Sequence, residues 1–404
     1  MRKKICFFGN FGTANFGNEI TLQTILHHVR LRYPAAKVAC ICPEPEALAA
    51  TQNIETIPMS RRFVKPWRLR TGLAKLLRKV FIGLPSEVCR WPEGFKRLKG
   101  SEMLIIPGTG LLTDAWGLSG WGPYNLFRWS LFAKLRGCKI LFVSVGAGPI
   151  STRLGRYFVK SALSMADFRS YRDDASMAYL KGIGFRTNGD RVYPDLVFSL
   201  PEVTTPNFEK PTHRRIVNLG LMTYDGMYGP EKPSNREYRE YLEKLVVFAE
   251  WLLAQNYTIQ LLIGDIHDRS ASEQFKSLIS KSLKGYDEER FIDEPAVSVE
   301  QLLRQIAAAD IVVATRFHNV LLSLVLNKPV IAVSFHPKCA SLMSDMGLAE
   351  HCHYIKNMDA GKLIEQFRRV ERDSEKLKTV IQERVKRLRN AVEEQYELIF
   401  KAYA

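Results

Sequence analysis

Short apolar runs alternate with stretches of helical period along almost the whole chain. KICFF at Lys4–Phe8 precedes a Gly/Asn loop and a helical period that runs to Arg32. KVACI, MLIIP and KILFVSV begin at Lys37, Met103 and Lys139, with helical stretches predicted over Trp121–Arg136 and Leu154–Met165. The runs are continuously apolar rather than alternating, the mark of parallel strands covered on both faces. The rhythm breaks at Pro201–Arg215, which is rich in proline and poor in apolar residues, and this predicts a linker. It restarts with RIVNLGL, a helix over Glu237–Gln255, TIQLLIG, a helix over Val299–Ala308, IVVAT, a helix over Asn319–Leu326, and PVIAVSF. The fold class expected is α/β, with two Rossmann-like domains facing across a cleft: residues 1–205, residues 212–370, and a packing helix over 371–404. Ligands of open α/β sheets sit beyond the carboxyl ends of strands, so the candidate chemistry is sought there.

Length and composition agree: 404 residues, 46% hydrophobic and 25% charged, suit two globular domains. No apolar run is long enough to span a bilayer, and MRKKICFFGN reads as a first strand rather than a leader. The seven cysteines are dispersed, as expected of reduced thiols in the cytoplasm. His351, Cys352 and His353 lack structural zinc spacing, so no metal is expected. A net charge of +16 points to anionic partners, and the absence of nucleic-acid motifs sets nucleic acid aside. Much of the charge falls in Arg61–Lys99, where basic residues face only Glu87 and Glu93. Leu73, Leu76, Leu77, Val80 and Leu84 recur there at helical steps, with Trp67 and Trp91 at the flanks. Such a segment suits either an anionic membrane surface or packing on the first domain.

The sharpest constellation follows IVVAT. Arg316 and His318 lie where a buried strand gives way to a helix N-terminus, a place that favours anions. His336 and Lys338 follow the next strand. Arg172, at the end of FRSY, offers bidentate contacts to carboxylate or phosphate, with Asp173 beside it. GNFGTANFGNE, PGTGLLTD and SVGAGPI are glycine loops after strands, and none is the dinucleotide fingerprint. In GDIHDRS, Asp265, His267 and Asp268 offer hydrogen bonds to a sugar, although solvated loop side chains are the plainer expectation.

In this order the motifs resemble those of the polysaccharide pyruvyl transferase family over most of the chain. ANFGNE keeps Asn15, Gly17 and Glu19 of that family's opening loop, with Asn18 in place of aspartate. PGTGLLTD keeps Asp114; SVGAGP, Arg172-Asp173-x-x-Ser176 and Asp195 follow; Arg316-Phe317-His318 stands for R-L-H, and FHPK keeps Lys338. The resemblance implies a glycosyltransferase B-like architecture. It also implies transfer of pyruvate from phosphoenolpyruvate to two hydroxyls of a sugar, forming a ketal without a cofactor. Donor contacts then fall to Arg172, Arg316, His318 and Lys338. Acceptor contacts fall to Asn15, Asn18, Glu19, Asp265 and His267. His318 is the first choice as acid or base, with Glu19 or Asp114 as its partner. The acceptor expected is a sugar of a surface polysaccharide or its lipid-linked precursor, handled in the cytoplasm or at the inner membrane face. A nucleotide-sugar glycosyltransferase of the same fold is the first alternative, against which Arg316–Asp345 contains no glutamate to hold a ribose. A non-catalytic carbohydrate-binding protein is the second.

Overall fold

The apolar runs form strands of two parallel sheets in a computed structural model, which describes residues 3–60, 84–114, 122–201, 215–223, 235–282 and 288–403. Contacts group the chain into two units. The first comprises Met1–Thr13, His28–Tyr193 and Leu398–Ala404, and the second Ala14–His27 with Pro194–Glu397.

In the first unit, β1 (Lys4–Phe8), β2 (Lys37–Cys42), β3 (Glu55–Pro58), β4 (Ser101–Pro107), β5 (Lys139–Val145), β6 (Phe168–Tyr171) and β7 (Arg191–Val192) lie in the order β3-β2-β1-β4-β5-β6-β7. Consecutive residues such as Phe7 and Phe8, Ile105 and Ile106, or Phe142 and Val143 are all buried. Helices therefore cover both faces, and the uninterrupted hydrophobicity of the sequence is explained. The strand order reverses between β1 and β4, placing the loops after those strands at the topological switch point.

In the second unit, β8 (Ile216–Gly220), β9 (Thr258–Leu262), β10 (Phe291–Ile292), β11 (Ile311–Ala314), β12 (Val330–Ser334) and β13 (Cys352–Tyr354) run in the order β10-β9-β8-β11-β12-β13. Here the reversal falls between β8 and β11. Ala314 of β11 pairs with Gly220 on one side and Ala332 on the other, so Arg316 leaves the sheet from its centre. Val217, Leu219, Val313, Ile331 and Val333 pack against Leu245, Phe248, Phe275 and Phe367 to form this unit's core.

The long helix expected over 371–404 is present as one helix that begins three residues later, at Ser374. A separate helix, Ala360–Arg372, ends at Asp373, and the long one runs from Ser374 to Ala402. Its stripe holds, with Ile381, Val392 and Ile399 buried. The linker expected at Pro201–Arg215 falls almost wholly outside the described residues, as do residues 61–83 of the basic segment. From the described end of that segment, Trp91 packs on the first core: its ring lies 5.3 Å from that of Phe132 and donates to the Tyr124 hydroxyl at 3.0 Å. This tryptophan is half-buried against that core. No helix among the described residues is long and apolar enough to cross a membrane.

Candidate active site

In the second unit, three loops meet through side-chain and backbone contacts. β11 ends at Ala314, and Arg316 occupies the N-cap position of the helix Phe317–Val325. Arg316 is 9% exposed. It donates from Nε to Asp268 Oδ2 at 2.8 Å and from Nη2 to Asp268 Oδ1 at 2.6 Å. Asp268, fully buried, also accepts the Thr223 N–H at 3.0 Å. Burial pushes the Asp268 carboxyl above the ordinary aspartate range, and Arg316 offsets this only in part. A pair whose desolvation outweighs its attraction adds little stability. Its evident result is to fix the plane of an arginine.

The turn that carries Asp268 also carries Asp265 and His267. Asp265 is 4% exposed and caps the short 3-10 turn Ile266–Asp268. Its Oδ2 accepts from Asn15 Nδ2 at 2.7 Å, and its Oδ1 lies 2.8 Å from His267 Nδ1. The expectation of solvated side chains in this loop therefore holds for His267, 72% exposed, but not for the two aspartates. Both were illegible because their partners lie 48 and 250 residues away.

Asn15 caps the helix Phe16–Arg32: its Oδ1 accepts the Asn18 N–H at 3.2 Å, and its carbonyl accepts the N–H groups of Asn18 and Glu19. Asn18 and Glu19 sit half-buried in the first turn. One residue earlier, Gly17 packs so closely on His318 that a Cβ there would stand 2.1 Å from the imidazole Nδ1. A Cβ on Gly264 would likewise stand 2.8 Å from Oδ1 of the fully buried Asn319 and 3.2 Å from Arg316 Cγ. Gly264 and Asn319 are the site residues to which sequence reasoning gave no role, while Asp268 was read only as a possible sugar contact and Gly17 only as a kept glycine of the family loop. A glycine after a strand and an asparagine in a helix's first turn were the only signals.

His336 and Lys338 follow β12, the neighbour of β11. His336 is the N-cap of the helix Pro337–Asp345, accepting the Lys338 N–H on Nδ1 at 3.2 Å. In this geometry the imidazole serves as a helix cap. Lys338 is half-buried in the first turn.

The first unit carries the remaining candidates. Arg172, 9% exposed, extends over Gly146, where a Cβ would lie 2.7 Å from Nη2. Its Nε is 3.6 Å from Asp173 Oδ2. Asp173 also caps the helix Asp174–Gly182 through the Ser176 N–H. Asp114 accepts from Ser151 N (2.9 Å), Ser151 Oγ (3.1 Å), Thr152 N (2.8 Å) and Thr152 Oγ1 (2.7 Å). Burial alone would raise this carboxyl, but the four donors outweigh it and hold the group below its usual range. A carboxylate so saturated is a poor proton donor and suits tying the loop after β4 to the helix Arg153–Ser164. Asp114→Ala is expected to cost about 3 kcal/mol, because it strands buried donors. The contribution of a depressed carboxyl is present above its unfolded pKa and lost as pH falls through its folded one. Asp114→Asn should accordingly narrow its deficit against the wild type below about pH 4 in urea melts run across pH.

No group of three or more metal-ligating side chains occurs among the described residues. His351 is buried, its Nδ1 2.9 Å from Gln366 Nε2, and burial lowers its pKa.

The whole-chain fold is shared with solved enzymes of glycosyltransferase B-like architecture. A UDP-GlcNAc 2-epimerase from Neisseria meningitidis, bound to UDP-GlcNAc, matches with a TM-score of 0.59 at 12% identity, covering 99% of this chain and 100% of that one. A putative UDP-N-acetylglucosamine 2-epimerase from Listeria monocytogenes matches at 0.61 and 10%, covering 98% and 97%. A glycosyltransferase from Rickettsia africae matches at 0.56 and 11%, covering 99% of each chain. At such identities the likeness is one of fold. No curated protein matches the sequence at a significant level. The family model for polysaccharide pyruvyl transferase, however, matches residues 15–337, a span that begins at the asparagine bonded to Asp265 and ends one residue before Lys338. The chain belongs to the polysaccharide pyruvyl transferase family.

Proposed function

We propose that the protein transfers a pyruvyl group from phosphoenolpyruvate to two hydroxyls of a sugar, forming a cyclic ketal and releasing phosphate. The observation that carries this reading is the position of Arg316, His318 and Lys338. Arg316 and His318 lie within the span matched by the family model and Lys338 just beyond it, and all three stand at the carboxyl ends of two adjacent strands, β11 and β12. A dianionic phosphate and a carboxylate are well matched by a fixed guanidinium, an ammonium and a helix N-terminus. Asn15, Asn18 and Glu19 are proposed on the acceptor side.

The chemistry balances as follows. A proton added to C3 of the enol makes C2 electrophilic, and one sugar hydroxyl attacks C2 while losing its proton. The C2–O bond to phosphate then breaks, the phosphate takes up a proton, and the second hydroxyl closes the ketal with loss of its own. Two protons leave the sugar; one ends on C3 and one on phosphate. His318 is proposed as the acid at C3, since imidazole ordinarily titrates near neutrality.

Phosphoenolpyruvate should raise the melting temperature, and UDP-GlcNAc should not. At a hundredfold excess over its Kd, a ligand adds about 2.7 kcal/mol of stability. Incubation with phosphoenolpyruvate and candidate lipid-linked or free oligosaccharides should then give, by mass spectrometry, the gain of one ketal-linked pyruvyl group with equimolar phosphate. A shift with UDP-GlcNAc alone, and transfer of an N-acetylhexosamine in place of the ketal, would replace this reading with that of a nucleotide-sugar transferase.

A further inference from the structure

We propose that Asp265 and His267 form a proton-transfer dyad, in which His267 Nε2 takes the proton from the attacking acceptor hydroxyl. The proposal rests on the pyruvyl-transfer reading for the bond that is made. It assigns to His267 a catalytic role and to Asp265 a positioning one.

The geometry is that of an imidazole oriented by a carboxylate. Asp265 Oδ1 receives both the backbone N–H of His267, at 3.0 Å, and the ring Nδ1, at 2.8 Å. A carboxylate acceptor at that distance requires a proton on Nδ1, so the neutral ring has its lone pair on Nε2. The carboxylate is itself fixed from behind. Its Oδ2 accepts from Asn15 Nδ2, and the orientation of that amide follows from its oxygen, which caps Asn18. Two backbone hydrogen bonds, Phe16 N–H to Gly264 O at 3.1 Å and Ile266 N–H to Ala14 O at 3.3 Å, hold the loops together. Ala14 adopts φ 56°, a left-handed conformation that costs a non-glycine residue energy and recurs at functional loops.

Stability gives little reason for this arrangement. The backbone N–H of His267 already meets the cap, while its side chain stays 72% exposed, and an exposed ion pair adds at most about 1 kcal/mol. A buried carboxylate that sets the tautomer of a solvated imidazole instead produces a base with a defined lone pair. The position is apt, for the residue after His267 is Asp268, which fixes Arg316. Ketal formation needs a base at the hydroxyl as well as an acid at C3. Asp114 spends its lone pairs on Ser151 and Thr152. His267 meets the need without asking His318 to serve in both roles.

The test uses the full-length protein in two arms. In the first, long-range 15N–1H correlation of the imidazoles, with His267 assigned by H267Q, should show the Nδ1–H tautomer in the wild type and the Nε2–H tautomer in D265A. An Nε2–H tautomer in the wild type overturns the dyad. In the second, H267Q should lower kcat roughly 10²- to 10⁴-fold, the range of general acid–base catalysis. The melting shift with phosphoenolpyruvate should persist, and imidazole should partly rescue H267A. Wild-type turnover in H267Q, or loss of the donor-induced shift, overturns the proposal. If the wild type forms no ketal but transfers an N-acetylhexosamine from UDP-GlcNAc, the pyruvyl reading fails. The dyad is then judged on that acceptor hydroxyl by the same loss of turnover.

Discussion

Asp268→Ala is expected to destabilise the second unit by about 3–5 kcal/mol and to abolish donor-induced stabilisation. Arg316→Ala should do the same. Each leaves a buried charge without its counterpart, which costs far more than the pair contributes when intact. The double variant Arg316→Met with Asp268→Leu separates the two effects. With both charges replaced by apolar groups of similar size, chemical denaturation should show stability restored to near the wild-type value. The melting shift with phosphoenolpyruvate should remain absent, because the guanidinium proposed to meet the anion is gone. Recovery of donor binding in the double variant would mean that Arg316 serves the fold alone.

Gly17→Ala is expected to lower turnover by 10²-fold or more. The added methyl would sit 2.1 Å from His318 Nδ1, so either the ring or the first turn of the helix Phe16–Arg32 must move. Overpacking of this kind costs about 1–3 kcal/mol in stability, whereas displacement of a reacting group by about 1 Å costs on the order of 10²-fold in rate. Activity should therefore fall further than a urea midpoint suggests. Gly182→Ala is the control: nothing lies within 4 Å of a Cβ there, and rates should be unchanged. Equal rates in Gly17→Ala and the wild type would remove the Gly17–His318 contact from the mechanism.

The two sheets were legible because their central strands are buried on both faces, which forces long apolar runs such as KILFVSV and IVVAT. The edge strands β7, β10 and β13, of two or three residues, leave no such trace. Helix limits were read less well where charge disguised them. Glu371 and Arg372 continue a helical period, yet Asp373 takes φ −93° and ψ 12° and ends the helix. The candidate cations were legible as strand-end residues. The groups that hold them were not, because a buried aspartate looks like a solvated one until its partner is known. Asp268 and Asp265 differ from Glu46, an exposed acid of an outer helix, only through Arg316 and Asn15. Likewise nothing in the sequence showed that His336 Nδ1 caps the helix Pro337–Asp345.

The grouping of Ala14–His27 with residues 194–397 also bears on synthesis. Asn15 is synthesised 250 residues before the aspartate it grips. At roughly 5–20 residues per second, the amide waits tens of seconds for that carboxylate. The first sheet can form meanwhile, since all seven of its strands precede Pro194. Ala14, Asn15 and Gly17 gain their partners in the loops after β9 and β11 only after most of the chain has been made. A fragment beginning at Pro194 would contain the arginine, the imidazoles and the aspartates, and still lack the strand-like pairing that aligns them.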